Sequence, residues 1–162
     1  MMAMAKLKKT NAVRLLDSLK ISYRLLEFAV DESDLSAEKA AALLCRPLDQ
    51  VFKTLVARGD KNGVMIATIP GNTELNLKAL ARISGNKKVE LVPLKEVQQL
   101  TGYIRGAVSP LGIKVNYPRY LDESAYNYPL IITSAGVRGL QVELSPHDLA
   151  GAINATTGQL TV

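Results

Sequence analysis

The sequence predicts an α+β fold in a single domain with a mostly antiparallel sheet, and three observations carry that expectation. A chain of 162 residues with 48% hydrophobic and 22% charged side chains is long enough to close one core and too apolar for a disordered segment. Two pairs of short runs, 51–57 with 64–69 and 128–133 with 140–144, are joined by glycine-containing turns and read as hairpins. Around them lie segments with apolar residues at helical spacing behind Ser, Thr or Asn caps.

In order along the chain, the basic opening MMAMAKLKK reads as a frayed start over residues 1–9. Thr10 or Asn11 then caps a helix in which Val13, Leu16 and Leu19 share a face, ending near Lys20. Ser22 to Phe28 alternates as a strand. The acidic segment Asp31 to Asp34 leads to Ser36, the cap of an alanine-rich helix through Leu44 that Pro47 keeps from continuing. The strand VFKTLVA, the turn Gly59 to Gly63 and VMIATI form the first hairpin. Pro70-Gly71-Asn72 breaks it, and Asn76 caps a helix closed by Gly85. VELV at 89–92 is a short strand, Pro93 opens a helix to Leu100, and a glycine-rich loop follows from Thr101 to Gly112. IKVNY, ended by Pro118, and YPLIIT read as strands, Ser134-Ala135-Gly136 as the turn into LQVEL. Ser145 at N-cap, Pro146 at N1 and Asp148 at N3 start the last helix.

Bulk properties narrow the chemistry. A formal charge of +5 and a pI near 9.4 favour anionic partners, and the 20 Lys and Arg are spread rather than clustered, which suits diffuse phosphate contacts. One cysteine, Cys45, permits no internal disulfide and fits a reducing cytosol. At the end of a helix and without a pKa-lowering pattern around it, Cys45 reads as a packed thiol. No run approaches the ~18 apolar residues of a membrane span, and the opening lacks the ~7–15-residue apolar region of a secretory signal. His147 is the one histidine, so multi-histidine metal sites are excluded. Its place in a first helical turn reads as an exposed structural residue.

Two stretches carry candidate chemistry. The loop TGYIRGAVSPLG at 101–112 holds Gly102, Gly106, Gly112 and Pro110 but no carboxylate, imidazole or thiol. Its resources are amide N–H groups, Ser109 and Arg105, so either it is a plain connector or its chemistry rests on main-chain donors and a cation. The second stretch is the strand with Lys53, which alternation places on one face with Val51, Leu55 and Ala57. A lysine there is either an edge-strand guard or a functional cation.

FKTL at 52–55, GYIRGAVSPLG at 102–112 and TSAGVRGLQVELSPHDL at 133–149 occur together in this order. Over about residues 11–155 the chain thereby resembles the YbaK/EbsC family of freestanding aminoacyl-tRNA deacylases, trans-editing relatives of the insertion domain of bacterial prolyl-tRNA synthetase. The resemblance implies a curved or barrel-like sheet surrounded by helices, a cytoplasmic enzyme needing no cofactor or metal, aminoacyl-tRNA(Pro) as substrate and prolyl-tRNA synthetase as partner.

It also implies roles. Lys53 is the required lysine, and Gly106 orients the substrate carbonyl. Phe28 is an aromatic wall of the pocket, which Tyr103, Ser109, Pro110, Gly112 and Gly136 shape, while Arg105 and Arg138 meet the acceptor stem. In cysteine-directed members the thiol of the misacylated cysteine attacks its own ester and leaves as a thiolactone. Such a step is physically reasonable because well-placed intramolecular nucleophiles reach effective molarities of about 10⁵–10⁸ M.

The chain departs from the family in two places. Ala107 stands where many members have a second glycine, and if it needs positive φ the cost is roughly 1–2 kcal/mol with a narrower pocket. The segment Ala29 to Ser36 lacks the histidines of some cysteine-specific members. Alanine or serine esters therefore stay open as substrates, as does a non-catalytic acceptor-stem binding module.

Overall fold

The computed structural model describes residues 9–162. The expected frayed start lies outside the described residues up to position 8, and Lys9 is paired with Asp17.

The two hairpins of the sequence become the centres of two sheets. Strand β1 (Arg24–Glu27), β6 (Ile131–Val137) and β7 (Leu140–Leu144) form a three-stranded antiparallel sheet in the order β1-β7-β6. Strands β2 (Phe52–Gly59), β3 (Gly63–Pro70), β4 (Val89–Leu91), β5 (Arg119–Asp122) and β8 (Thr156–Gly158) form the other, ordered β4-β2-β3-β5-β8. Antiparallel pairing dominates, and β3–β5 and β5–β8 are parallel. A parallel bridge between Val51 and Ile132 joins the sheets.

Among the described residues five helices cover them: α1 (Asn11–Ser18), α2 (Ala37–Leu44), α3 (Leu77–Ser84), α4 (Leu94–Thr101) and α5 (Pro146–Ile153). Four start as their sequences direct. The side chains of Thr10, Ser36, Asn76 and Ser145 accept from Val13, Lys39, Ala79 and Asp148 N–H, each cap worth about 1 kcal/mol. Helices α1 and α5 turn Val13, Leu16, Leu149 and Ile153 onto the three-stranded sheet. Helix α3 turns Leu80 and Ala81 onto Met65, Ala67 and Ile69 of the larger sheet, and the opposite face of that sheet meets Val97 of α4 and Tyr103.

Three expectations are corrected. Residues 113–117 are not a strand; pairing starts at Arg119. Buried Arg119 instead donates to the carbonyls of Pro110 (3.3 Å), Ile113 (3.2 Å) and Tyr117 (2.8 Å), so those carbonyls serve a guanidinium rather than a ladder. Ser134-Ala135-Gly136 is not the turn either, because β6 runs on to Val137 with a register shift between Ser134 and Val137, and the chain reverses at Arg138-Gly139. Cys45 is not packed: it closes α2 in the left-handed conformation at φ 57° with its thiol exposed.

Candidate active site

Strand β2 is paired along one edge with β3, but its other edge is shared. Val51 bridges β6 at one end, and residues 57–59 pair with β4 at the other. Between those contacts the edge is open, and a cavity of about 340 Å³ lies against Phe52–Val56, within the ~300–1,000 Å³ usual for small-molecule sites. Val56 turns its carbonyl outward to Val92 N–H at 2.9 Å. By alternation, Thr54 turns its main-chain N–H and C=O to the same edge, beside the cavity.

Lys53 and Gly106 both line this cavity. Lys53 is half-buried and forms no ion pair among the described residues, so its charge is available to a ligand. Gly106 has φ +83° and sits in a turn closed by Ala107 N–H to Ile104 C=O at 2.9 Å. Its own N–H has no acceptor among the described residues.

Phe28, Arg105 and Arg138 also line the cavity. Phe28 is fixed by its N–H to the Gly139 carbonyl at 3.0 Å. Arg138 is already engaged: Nε donates to the carbonyl of Arg105 at 2.9 Å and Nη1 to Glu32 at 2.8 Å. The guanidinium pictured as a contact to the acceptor stem thus holds two loops together.

The remaining expected pocket residues are absent from its lining. Tyr103 is buried, donates its hydroxyl to Leu111 C=O at 2.7 Å, and burial pushes its phenol up to about 12. Ser109 is 0% exposed, and its hydroxyl accepts from Leu111 N–H. Pro110 offers its carbonyl to Arg119. Gly112 lies against the backbone of Asn11 and Ala12, and Gly136 against the ring of Tyr103, where a β-carbon would come within 2.6 and 2.7 Å respectively. Ala107 is fully buried with its carbonyl accepting from Ser134 Oγ at 2.9 Å. It is not among the residues at positive φ, so its methyl brings no strain and does not narrow the cavity.

Sequence reading missed the other walls. Val30, Asp31, Asp34 and Leu35 come from the acidic segment, Leu91, Leu94 and Val97 from β4 and α4, and Ser134 and Gln141 from the β6–β7 sheet. The acidic segment did carry a signal, the repeated Asp-x-Ser. Asp31 accepts from the hydroxyl and N–H of Ser33, and Asp34 from those of Ser36. These donors hold both carboxylates below their ordinary range.

A mostly apolar cavity lined by two cations without a carboxylate partner among the described residues, Lys53 and Arg105, by an unpaired amide and by neither Cys45 nor His147 suits an electrophile activated by charge and main-chain donors. The profile of the aminoacyl-tRNA editing domain family matches residues 31–152, which include Lys53 and Gly106. EbsC of Enterococcus faecalis, a candidate Cys-tRNA(Pro)/Cys-tRNA(Cys) deacylase, is 48% identical over 161 residues, covering 98% of each chain. Among solved structures, the hypothetical protein APE2540 superposes with a TM-score of 0.86 at 26% identity over 94% of this chain and 100% of its own. A candidate trans-editing enzyme for prolyl-tRNA synthetase does so with 0.79 at 25% over 96% and 99%. Profile, full-length identity and superposed fold agree: this chain belongs to the aminoacyl-tRNA editing domain family.

Proposed function

We propose that this protein is an aminoacyl-tRNA deacylase of the cytoplasm that removes cysteine from mischarged tRNA(Pro), working beside prolyl-tRNA synthetase. The observation that carries this reading is the meeting of Lys53 and Gly106 in one cavity whose lining contains neither the thiol nor the imidazole of the chain. An aminoacyl ester is already activated, so orientation and charge stabilisation suffice to cleave it.

In this mechanism the Gly106 N–H donates to the ester carbonyl oxygen as it gains negative charge, and the Lys53 ammonium supports the same charge or the phosphate of the terminal adenosine. The sulfur of the substrate cysteine attacks its own carbonyl carbon. The C–S bond forms, the bond from that carbon to the ribose oxygen breaks, and the thiol proton passes to the ribose oxygen. Cysteine leaves as a thiolactone, which water opens afterwards. The protein's contribution is to fold the ester into attack geometry against apolar walls such as Val30, Leu35 and Val108.

Such a site answers a physical limit. A synthetase pocket separates substrates differing by about one methylene by only ~10–200-fold, so a second site must clear the errors. The reading is tested with tRNA(Pro) charged in turn with cysteine, alanine, serine and proline. Release of cysteine fastest, with proline spared, supports it. Faster release of alanine or serine redirects the specificity, and binding of tRNA without release of any amino acid leaves a binding module.

A further inference from the structure

The turn Ile104–Ala107 leaves the direction of its own central peptide undecided. Its ends are tied by Ala107 N–H to Ile104 C=O, Gly106 has φ +83°, and Arg105 is not among the residues at positive φ, which makes it a type II turn. Type I closes the same hydrogen bond with the central peptide flipped. Glycine at the third position allows type II without enforcing it. Something outside the turn must therefore select which way the Arg105–Gly106 peptide faces.

The structure supplies a candidate in Arg138. Its Nε donates to the carbonyl of that same peptide, Arg105 C=O, at 2.9 Å. Its Nη1 is in turn held by Glu32 Oε1 at 2.8 Å, a charge-assisted bond. In a planar trans peptide the C=O and N–H point in opposite directions, so fixing the Arg105 carbonyl fixes the Gly106 N–H, which has no acceptor among the described residues. A cation on the carbonyl also polarises the peptide and strengthens its N–H as a donor.

We propose that Arg138 is a positioning residue for the deacylation: it clamps the Arg105–Gly106 peptide in the type II orientation, aims the Gly106 amide at the substrate carbonyl, and is itself held by Glu32. This rests on the reading that Gly106 N–H meets the ester. It differs from the expectation that Arg138 contacts the acceptor stem, since a stem contact acts on tRNA affinity and a peptide clamp acts on turnover.

The test uses ¹⁵N,¹³C-labelled full-length protein and Cys-tRNA(Pro) under single-turnover conditions, with Arg138→Ala, Arg138→Lys and Glu32→Gln. Expected for Arg138→Ala are displacement of the Gly106 ¹⁵N and Arg105 carbonyl ¹³C resonances and a loss of about 10–100-fold in the rate at saturating tRNA. Affinity for tRNA stays within about twofold, and added guanidinium ion partly restores the rate. Arg138→Lys and Glu32→Gln, milder changes at an exposed pair, move the same resonances and rate by less. Unmoved resonances overturn the proposal, and so does a loss confined to tRNA affinity. A Gly106→Ala control separates the two levels. If that variant matches wild type in rate, or if wild type releases no amino acid, the role given to Gly106 fails, and the resonances still decide whether Arg138 sets the peptide.

Discussion

Leu35 lies directly against Gly106: a β-carbon built on the glycine would stand 3.2 Å from both Cβ and Cδ1 of Leu35. The acidic segment and the glycine loop therefore meet at the cavity so tightly that one more methyl requires Leu35 to shift by a few tenths of an ångström. Gly106→Ala combines that crowding with a φ of +83°, a backbone penalty of roughly 1–2 kcal/mol. The expected result is a deacylation rate at saturation lower by at least about tenfold, as for misplacing a transition-state donor. Single-turnover kinetics, with tRNA affinity measured separately, check it.

Tyr103 is predicted to matter for stability and not for chemistry. Tyr103→Phe leaves the buried Leu111 carbonyl without its donor, at a cost of about 1–3 kcal/mol in denaturant unfolding, with the deacylation rate within about twofold of wild type. The phenol also sets an alkaline limit. Its folded value of about 12 exceeds the 10.0 of a free tyrosine, so at pH between these the unfolded chain gives up the proton first and stability falls as pH rises. The Phe variant lacks that component, and paired unfolding curves across this range reveal the difference.

Acid acts on the opposite wall. Asp31 and Asp34 have folded values below 3.8 because Ser33 and Ser36 donate to them. Their contribution to loop order is complete above the unfolded value and is lost as pH falls through the folded one. Amide resonances of Ser33 and Ser36, followed from neutral pH downward, should titrate with midpoints below 3.8; midpoints at or above that value contradict the turns described.

Cys45 and His147 serve as negative controls. Neither lines the cavity, and His147 packs its ring on Tyr126 at 4.7 Å between centroids. Cys45→Ser and His147→Gln are each expected to deacylate within about twofold of wild type, since surface changes of this kind seldom exceed ±0.5 kcal/mol. A large loss in Cys45→Ser would instead mark a thiol enzyme.

Local chemistry was legible in the sequence and long-range pairing was not. Thr10, Ser36, Asn76 and Ser145 announced their helices because a cap is decided within four residues. The β2–β3 hairpin was announced by its own turn and Lys53 by its place as a cation in a strand, whereas Gly106 was one of several glycines in its loop and was singled out only by the family resemblance. What brings them to one cavity is the divergence of β6 and β4 along β2, a matter of pairing between distant segments. For the same reason Ser134 and Gln141 could not be read as walls. Of the residues between 102 and 112 expected at the pocket, Arg105 and Gly106 line it, whereas Tyr103 and Ser109 bond to Leu111 and Gly112 packs against the start of α1.

The most direct test of the account is the single-turnover release of cysteine from Cys-tRNA(Pro) by Lys53→Ala beside wild type, with tRNA binding measured on the same preparations. Retained binding and a rate lower by about 10²–10³-fold are expected, the usual cost of removing a group that stabilises developing charge. A Lys53→Ala protein that releases cysteine at the wild-type rate would contradict it.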